Sequence, residues 1–249
     1  MALQNRRGIS RRRPQGSNIR GTEVPVERTR TSGSVAATLL PSLATLQEVR
    51  AIGGAVSRLW RDLAVSSNVP TSDHEEHSYQ VGIFSWRIAR LMGLSEERAE
   101  RIFRAAYLHD VGSVSVPGPI MLKPGSLTAK QRKTMQVHPL ISCQLLNAFL
   151  STKDLAKIAL SHHERFDGDG YPFGLQGAKI PLEARVLAIA DSLDAMMSWR
   201  PYRDPLPFPL ALEEVKHGAG RQFDANIVEV LARQGGSIAW SPSAPVVST

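Results

Sequence analysis

Five of the seven histidines in this 249-residue chain, and two of its ten aspartates, have the types and spacing of metal ligands. His109-Asp110 ends the apolar run Ile102 to Leu108, which has helical spacing, and Val111-Gly112 follows with Gly112 placed as a helix C-cap. His77 lies on the helical stretch before that pair and His138 on the stretch after it. His162-His163 lie on the next, and Asp191 on yet another. Adjacent helical residues point about 100° apart, so neither adjacent pair closes a metal site by itself. Such pairs work where a cation sits in a seam between helices and collects one or two ligands from each. The inventory is lavish for one metal and suits two. A carboxylate has two oxygens and can bridge two cations, which makes Asp110 the natural shared ligand. Two divalent ions roughly 3.5–4 Å apart lower the pKa of a water and clamp the oxygens of a phosphodiester. Mixed imidazole and carboxylate donors suit Fe or Mn and accommodate Zn.

The elements that must position these side chains are helical. With 42% apolar residues the chain can bury one domain of good size plus flanks. A helix is expected over 41–66, where Val49, Ile52, Val56, Leu59 and Leu63 form a heptad-like stripe. That stripe packs on its own domain or forms a homodimer seam. Further helices are expected over 74–92, from Ser95 as N-cap, from Thr128 with Gln131 as a capping box to about 149, and near 153–165, 181–198, 206–217 and 223–233. A Gly-, Pro- and Ser-rich loop spans 112–127, and Gly218 suits a C-cap. The fold class is all-α.

Charge is concentrated at one end. Residues 1–33 carry eight arginines against Glu23 and Glu27, a net of +6, while the whole chain is +7. Residues 1–34 therefore read as a disordered basic tail and 70–233 as the folded domain, with a flexible tail over 234–249. The tail is expected to be a solubilising extension, with a loose contact to nucleic acid or an acidic surface as the alternative, and no specific nucleic-acid binding is expected. No apolar run approaches the ~18 residues of a membrane span, and the single Cys143 fits a reducing compartment. A cytoplasmic protein is expected.

Asp191 follows Leu187-Ala188-Ile189-Ala190, and a carboxylate in so apolar a helix is costly unless paired or on a metal. Asp73 precedes His77 by four residues, so on a helix the two share a face. His217 sits where a helix C-terminus favours a cation and is given no function.

From about His77 to Leu231 the sequence resembles the HD-GYP domain, a bacterial relative of the HD phosphohydrolases that degrades cyclic di-GMP. The matching pieces are Leu108-His109-Asp110-Val111-Gly112, Leu122-Lys123-Pro124-Gly125, His138-Pro139, Ala190-Asp191-Ser192-Leu193-Asp194-Ala195 and Arg200-Pro201-Tyr202-Arg203. The most specific is His162-His163-Glu164-Arg165-Phe166-Asp167-Gly168-Asp169-Gly170-Tyr171-Pro172. The resemblance implies an HD-type helical bundle with the metal site between helices. It implies one metal held by His77, His109, Asp110 and Asp191, and another by Asp110, His138, His162 and His163. A third would require Asp73. By the same resemblance Asp110 and Asp194 are catalytic, Asp194 orienting water or substrate beside the metals. Arg200 and Arg203 clamp phosphate, and Tyr171 shapes the substrate pocket.

Three residues depart from the family pattern. Ser113 stands where the family has a lysine that helps hold a substrate phosphate, Gln80 where it has arginine, and Gly118 where it has aspartate. The expected activity is metal-dependent hydrolysis of cyclic di-GMP to linear pGpG, with GMP as the alternative end product. The alternative is a signalling module that binds cyclic di-GMP or a partner protein with little turnover.

Overall fold

The computed structural model describes residues 40–51, 54, 71–148, 150–199, 204–237 and 240. Among them there is no strand, only an isolated bridge between Ala219 and Phe223. The architecture is an all-α bundle, as expected. Its helices are α1 (43–51), α2 (Thr71–Leu91), α3 (Glu96–Leu108), α4 (Gly118–Met121), α5 (Ala129–Met135), α6 (His138–Asn147), α7 (Ala156–Leu160), α8 (Leu182–Met197), α9 (Phe208–His217) and α10 (Ala225–Gln234). No described helix is long and apolar enough to cross a membrane.

The bundle is built around α2, whose residues 80–89 are buried on every side. A helix that is wet on no face belongs in the middle of a core, and α3, α8 and α10 pack against it. α3 begins at Ser95, whose side chain accepts from Arg98 N, with Glu96 and Glu97 in its first turn. α8 buries Ala184, Val186, Leu187, Ile189, Ala190, Leu193 and Met197, a three-and-four spacing that seats one face in the core. The N-terminus of α8 is clamped to α3: Arg98 and Arg101 both donate to Glu183 Oε1, at 2.9 and 2.7 Å. Burial disfavours the Glu183 carboxylate, but the two guanidinium groups outweigh it and hold its pKa below the usual carboxylate range.

α1 packs back on its own domain. Val49 is fully buried in the common core, Ser42 N donates to Glu100 Oε1 and Arg104 donates to Glu48. The other stripe residues expected of a dimer seam, Ile52, Val56, Leu59 and Leu63, lie outside the described residues, as does the tail 1–34.

Several expectations are corrected. The helix expected over 128–149 is two helices, broken at Gln136-Val137. Pro139 is the cause: it lacks the N–H that a continuous helix would donate to Met135 O. The stretch 153–165 is helical only over Ala156–Leu160, so His162 and His163 sit on the turn beyond it. The loop 112–127 holds a 3-10 turn, Val111–Ser115, and the short α4. Finally, the segment expected to be a loose C-terminal tail contains Trp240, which is buried. Its ring stacks on Phe208 at 4.7 Å and meets Phe84 at 5.4 Å, and its Nε1 donates to Gly235 O. Apolar area and one satisfied N–H pin this residue down.

Candidate metal centre

The expected ligands converge from five places in the chain. Asp110, His138, His162 and His163 each offer a ligand atom within 4.8 Å of the others, and His77, His109 and Asp191 form an adjoining group of the same kind. The carboxylate of Asp110 faces both. Its Oδ2 lies 3.4 Å from His109 Nε2, while its Oδ1 lies 3.1 Å from His138 Nε2 and 3.5 Å from His162 Nε2.

Local backbone geometry aims three of the imidazoles. Helix ends leave carbonyls without partners, and each ring uses one. His109, just past the end of α3, donates from Nδ1 to Ala106 O at 2.6 Å. His162, just past α7, donates from Nδ1 to Ala159 O at 2.5 Å. His138 opens α6 and donates from Nδ1 to Met135 O at 2.8 Å, the carbonyl that Pro139 leaves free. With the proton on Nδ1, Nε2 carries a lone pair. Three such lone pairs therefore face one carboxylate, and those of His138 and His162 face each other across 3.4 Å. The buried Asp110 Oδ1 accepts no well-formed hydrogen bond from them. Acceptors facing acceptors is an arrangement that a divalent cation relieves, so the residues fit a metal.

Burial opposes a charge on His138, but contact with Asp110 outweighs it and raises its pKa, so without a cation this ring competes for a proton at the same carboxylate. Burial opposes the Asp110 charge, yet His109, His138 and His162 hold its pKa well below the usual range, so it is a carboxylate. Burial, aided by the neighbouring His162 and His138, holds His163 well below the usual imidazole value, leaving a neutral ring suited to ligation. Burial also lowers His109. His77 behaves differently: burial opposes its charge, but Asp194 and then Asp191 outweigh that and push it up to about 9.

Asp194 lies against His77. It is only 1% exposed, and both of its oxygens are engaged. Oδ2 accepts from His77 Nδ1 at 2.7 Å and Oδ1 accepts from Ser198 Oγ at 3.0 Å. It holds His77 from the Nδ1 side, and the ring's other nitrogen is 3.5 Å from Asp191 Oδ1.

Two glycines are required by close approach. A Cβ on Gly112 would stand 2.3 Å from His138 O and Ser142 N, so this glycine lets α6 lie against the His109-Asp110 turn, and its N–H donates to Ser142 Oγ. It is not the C-cap of α3, which is His109. A Cβ on Gly170 would stand 2.2 Å from Arg165 N, so Gly170 lets the following loop press on the His163 turn. Tyr171 N donates to His163 O, and the two rings lie 4.8 Å apart. Glu164 completes this corner: it is buried and accepts from Phe173 N at 2.7 Å and Leu175 N at 3.0 Å. No role is expected of Glu164 from the sequence alone. Its only sign there was a carboxylate beside two histidines and ahead of a Gly- and Pro-containing loop.

The remaining expected residues are placed less simply. Ser113 is 5% exposed and presents little of itself to a substrate. Gln80 is buried, its amide donating to Glu76 at 2.7 Å, and Gly118 is buried at the start of α4. Arg200 and Arg203 lie outside the described residues, as does the side chain of Asp73 on the first turn of α2.

Residues 58–227 match the model of the HD domain. The chain belongs to the HD-domain family. With Gly170-Tyr171-Pro172 following the His162-His163 pair, it is an HD-GYP member. This HD domain is 41% identical over 182 residues to the cyclic di-GMP phosphodiesterase response regulator RpfG of Xanthomonas campestris, covering 72% of this chain and 47% of that one. It is 42% identical over 159 residues to a cyclic di-GMP phosphodiesterase of Thermotoga maritima, covering 63% and 43%. It is also 41% identical over 157 residues to the 3'3'-cGAMP-specific phosphodiesterase 2 of Vibrio cholerae, covering 62% and 30%. The chain thus spans less than half the length of these relatives. Among solved structures, an HDG"Y"P protein of Bdellovibrio bacteriovorus shares the fold with a TM-score of 0.54 at 17% identity, covering 77% of this chain and 64% of that one.

Proposed function

We propose that the chain is a metal-dependent phosphodiesterase that hydrolyses cyclic di-GMP to linear pGpG, with GMP as the alternative end product. The observation that carries this reading is the Asp110 carboxylate, with one oxygen turned to His109 and the other to His138 and His162. That is the posture of a bridging ligand. His77, His109, Asp110 and Asp191 would hold one ion, and Asp110, His138, His162 and His163 the other. The donor set suits Fe or Mn, and Asp73 would enter only with a third ion. A divalent cation supplies Lewis acidity, polarising phosphoryl oxygens and lowering the pKa of a water.

The chain's own residues do the rest. The carbonyls of Ala106, Met135 and Ala159 fix the tautomer of three imidazoles, so that no ring has to turn before it can ligate. Asp194 holds His77 in the same way from behind, as a positioning residue. Glu164 and Gly170 hold the loop that lays Tyr171 against His163. Arg200 and Arg203 would take the phosphates, since each guanidinium fork matches two phosphoryl oxygens. Cyclic di-GMP is favoured over other nucleotides because two relatives with more than 40% identity carry its name, and 3'3'-cGAMP, named in a third, is the nearest rival.

The buried, uncharged Ser113 favours a second reading, a module that binds the dinucleotide without useful turnover. Chromatography of cyclic di-GMP and of 3'3'-cGAMP after incubation with the anaerobically metal-loaded chain separates the two. Appearance of linear pGpG supports the enzyme. Intact dinucleotide, retained by a fully loaded protein, supports the module.

A further inference from the structure

Among the described residues only two of the Phe, Tyr and Trp side chains are exposed, Phe173 at 61% and Trp199 at 68%. Trp86 and Trp240, by contrast, are buried in the core. Single exposed aromatics are ordinary, but the positions of these two are not scattered. Each follows directly on a segment that holds one end of the ligand cluster.

Phe173 belongs to the His163 end. Its backbone N–H is fixed on Glu164, and two residues earlier the Tyr171 ring lies 4.8 Å from the His163 ring. Trp199 belongs to the His77 end. Ser198, its neighbour, donates from Oγ to Asp194 Oδ1, and Asp194 Oδ2 accepts from His77 Nδ1. The Ser198 N–H also donates to Asp194 O, and beyond Trp199 the chain returns to the same helix end through Leu206 N and Met196 O. The Phe173 backbone and the residue before Trp199 are therefore pinned, while both rings are left in solvent.

A cyclic dinucleotide carries one purine on each side of its sugar–phosphate ring. Every base has a π face, and stacking on an aromatic side chain buries apolar area on both partners without reading hydrogen-bond edges. We infer that Trp199 and Phe173 are stacking platforms for the two purines of the substrate, one at each end of the metal centre. This rests on the cyclic-dinucleotide reading above. Because stacking is tolerant of base identity, the platforms contribute equally to cyclic di-GMP and 3'3'-cGAMP. Choice between guanine and adenine lies with polar groups elsewhere.

The test uses the metal-loaded full chain, with cyclic di-GMP turnover and calorimetric binding read side by side. Trp199→Ala and Phe173→Ala are each expected to raise KM and Kd about tenfold. Metal content stays as in wild type and kcat within about twofold, since the lost contact is made alike in ground and transition states. Trp199→Phe and Phe173→Tyr restore KM, because a π face is all that is required. Dinucleotide quenches tryptophan emission in wild type and fails to do so in Trp199→Phe. Unchanged KM and Kd in both alanine variants of a wild type that binds cyclic di-GMP overturn the platforms alone. Loss of metal or of kcat without a change in Kd also overturns them, by showing a structural role. A loaded wild type that neither binds nor hydrolyses either dinucleotide overturns the platforms and the function on which they rest.

Discussion

At the scale of single residues, the centre is set by which nitrogen of each imidazole carries the proton. His77 is the one ring of the first group held by a carboxylate instead of a helix-end carbonyl. Asp194→Asn keeps the shape and removes the charge, and an amide can turn its NH2 toward Nδ1 and reverse the tautomer. A partner of this kind typically changes metal affinity about 10–100-fold. The expected outcome is a loss of that order for the ion at His77, His109 and Asp191, measured by competition with a chromophoric chelator, with the other ion retained. Unchanged affinity would return Asp194 to the role of orienting water. The seven proposed ligands were singled out in the sequence by residue type, by their places on successive expected helices and by the family motifs, and only Asp191, after Leu187 to Ala190, stood out as a costly carboxylate in an apolar helix. The direction in which Asp194 points was not legible. Residues 191 and 194 lie one turn apart on α8, and only the packing of α2 decides that one meets His77 from the front and the other from behind.

At the scale of elements, helix ends do the positioning, and the sequence announced those ends unevenly. Ser95 and the Thr128–Gln131 capping box mark starts that the structure retains. Pro139 was passed over as a breaker, although it splits one expected helix and frees the carbonyl that His138 uses. Pro139→Ala restores an N–H that competes with His138 Nδ1 for Met135 O. We expect a gain of helical circular dichroism together with about a tenfold loss of metal affinity at the His138 group. A second element-level contact is the clamp of α8 on α3. Glu183 has its folded pKa depressed, so its contribution is present above the ordinary carboxylate pKa and is lost as pH falls through the lower folded value. Glu183→Gln should therefore cost about 1 kcal/mol at pH 7, a modest figure because Arg98 and Arg101 are partly exposed and screened by water. The difference between the two proteins should close as denaturation is repeated at successively lower pH, below the ordinary carboxylate range. A difference that persists there would mean the cost is one of packing.

At the scale of the whole molecule, the bundle is a frame that brings α2, the end of α3, the start of α6, the turn after α7 and the middle of α8 to one seam. The all-α class followed from the periodicity, and the HD-type bundle from the motifs. Which helix is wrapped by the others did not follow, since the continuous burial of 80–89 reads in sequence as an ordinary mixed segment containing Gln80 and Arg87. Trp240 was likewise lost among Pro and Ser residues whose composition suggested a loose tail. The charge of residues 1–33 contains none of the proposed ligands, so their removal should leave turnover at low salt within about twofold. A fall in association rate with a flattened salt dependence would instead show that these arginines steer the anionic dinucleotide. The account stands most directly on Asp110 as the residue shared by both halves of the centre. Metal content per chain, measured by elemental analysis on anaerobically loaded wild type, Asp191→Ala and Asp110→Ala, tests it. The expected result is two ions in wild type, loss of mainly one in Asp191→Ala and loss of both in Asp110→Ala. Full metal content in Asp110→Ala would contradict it.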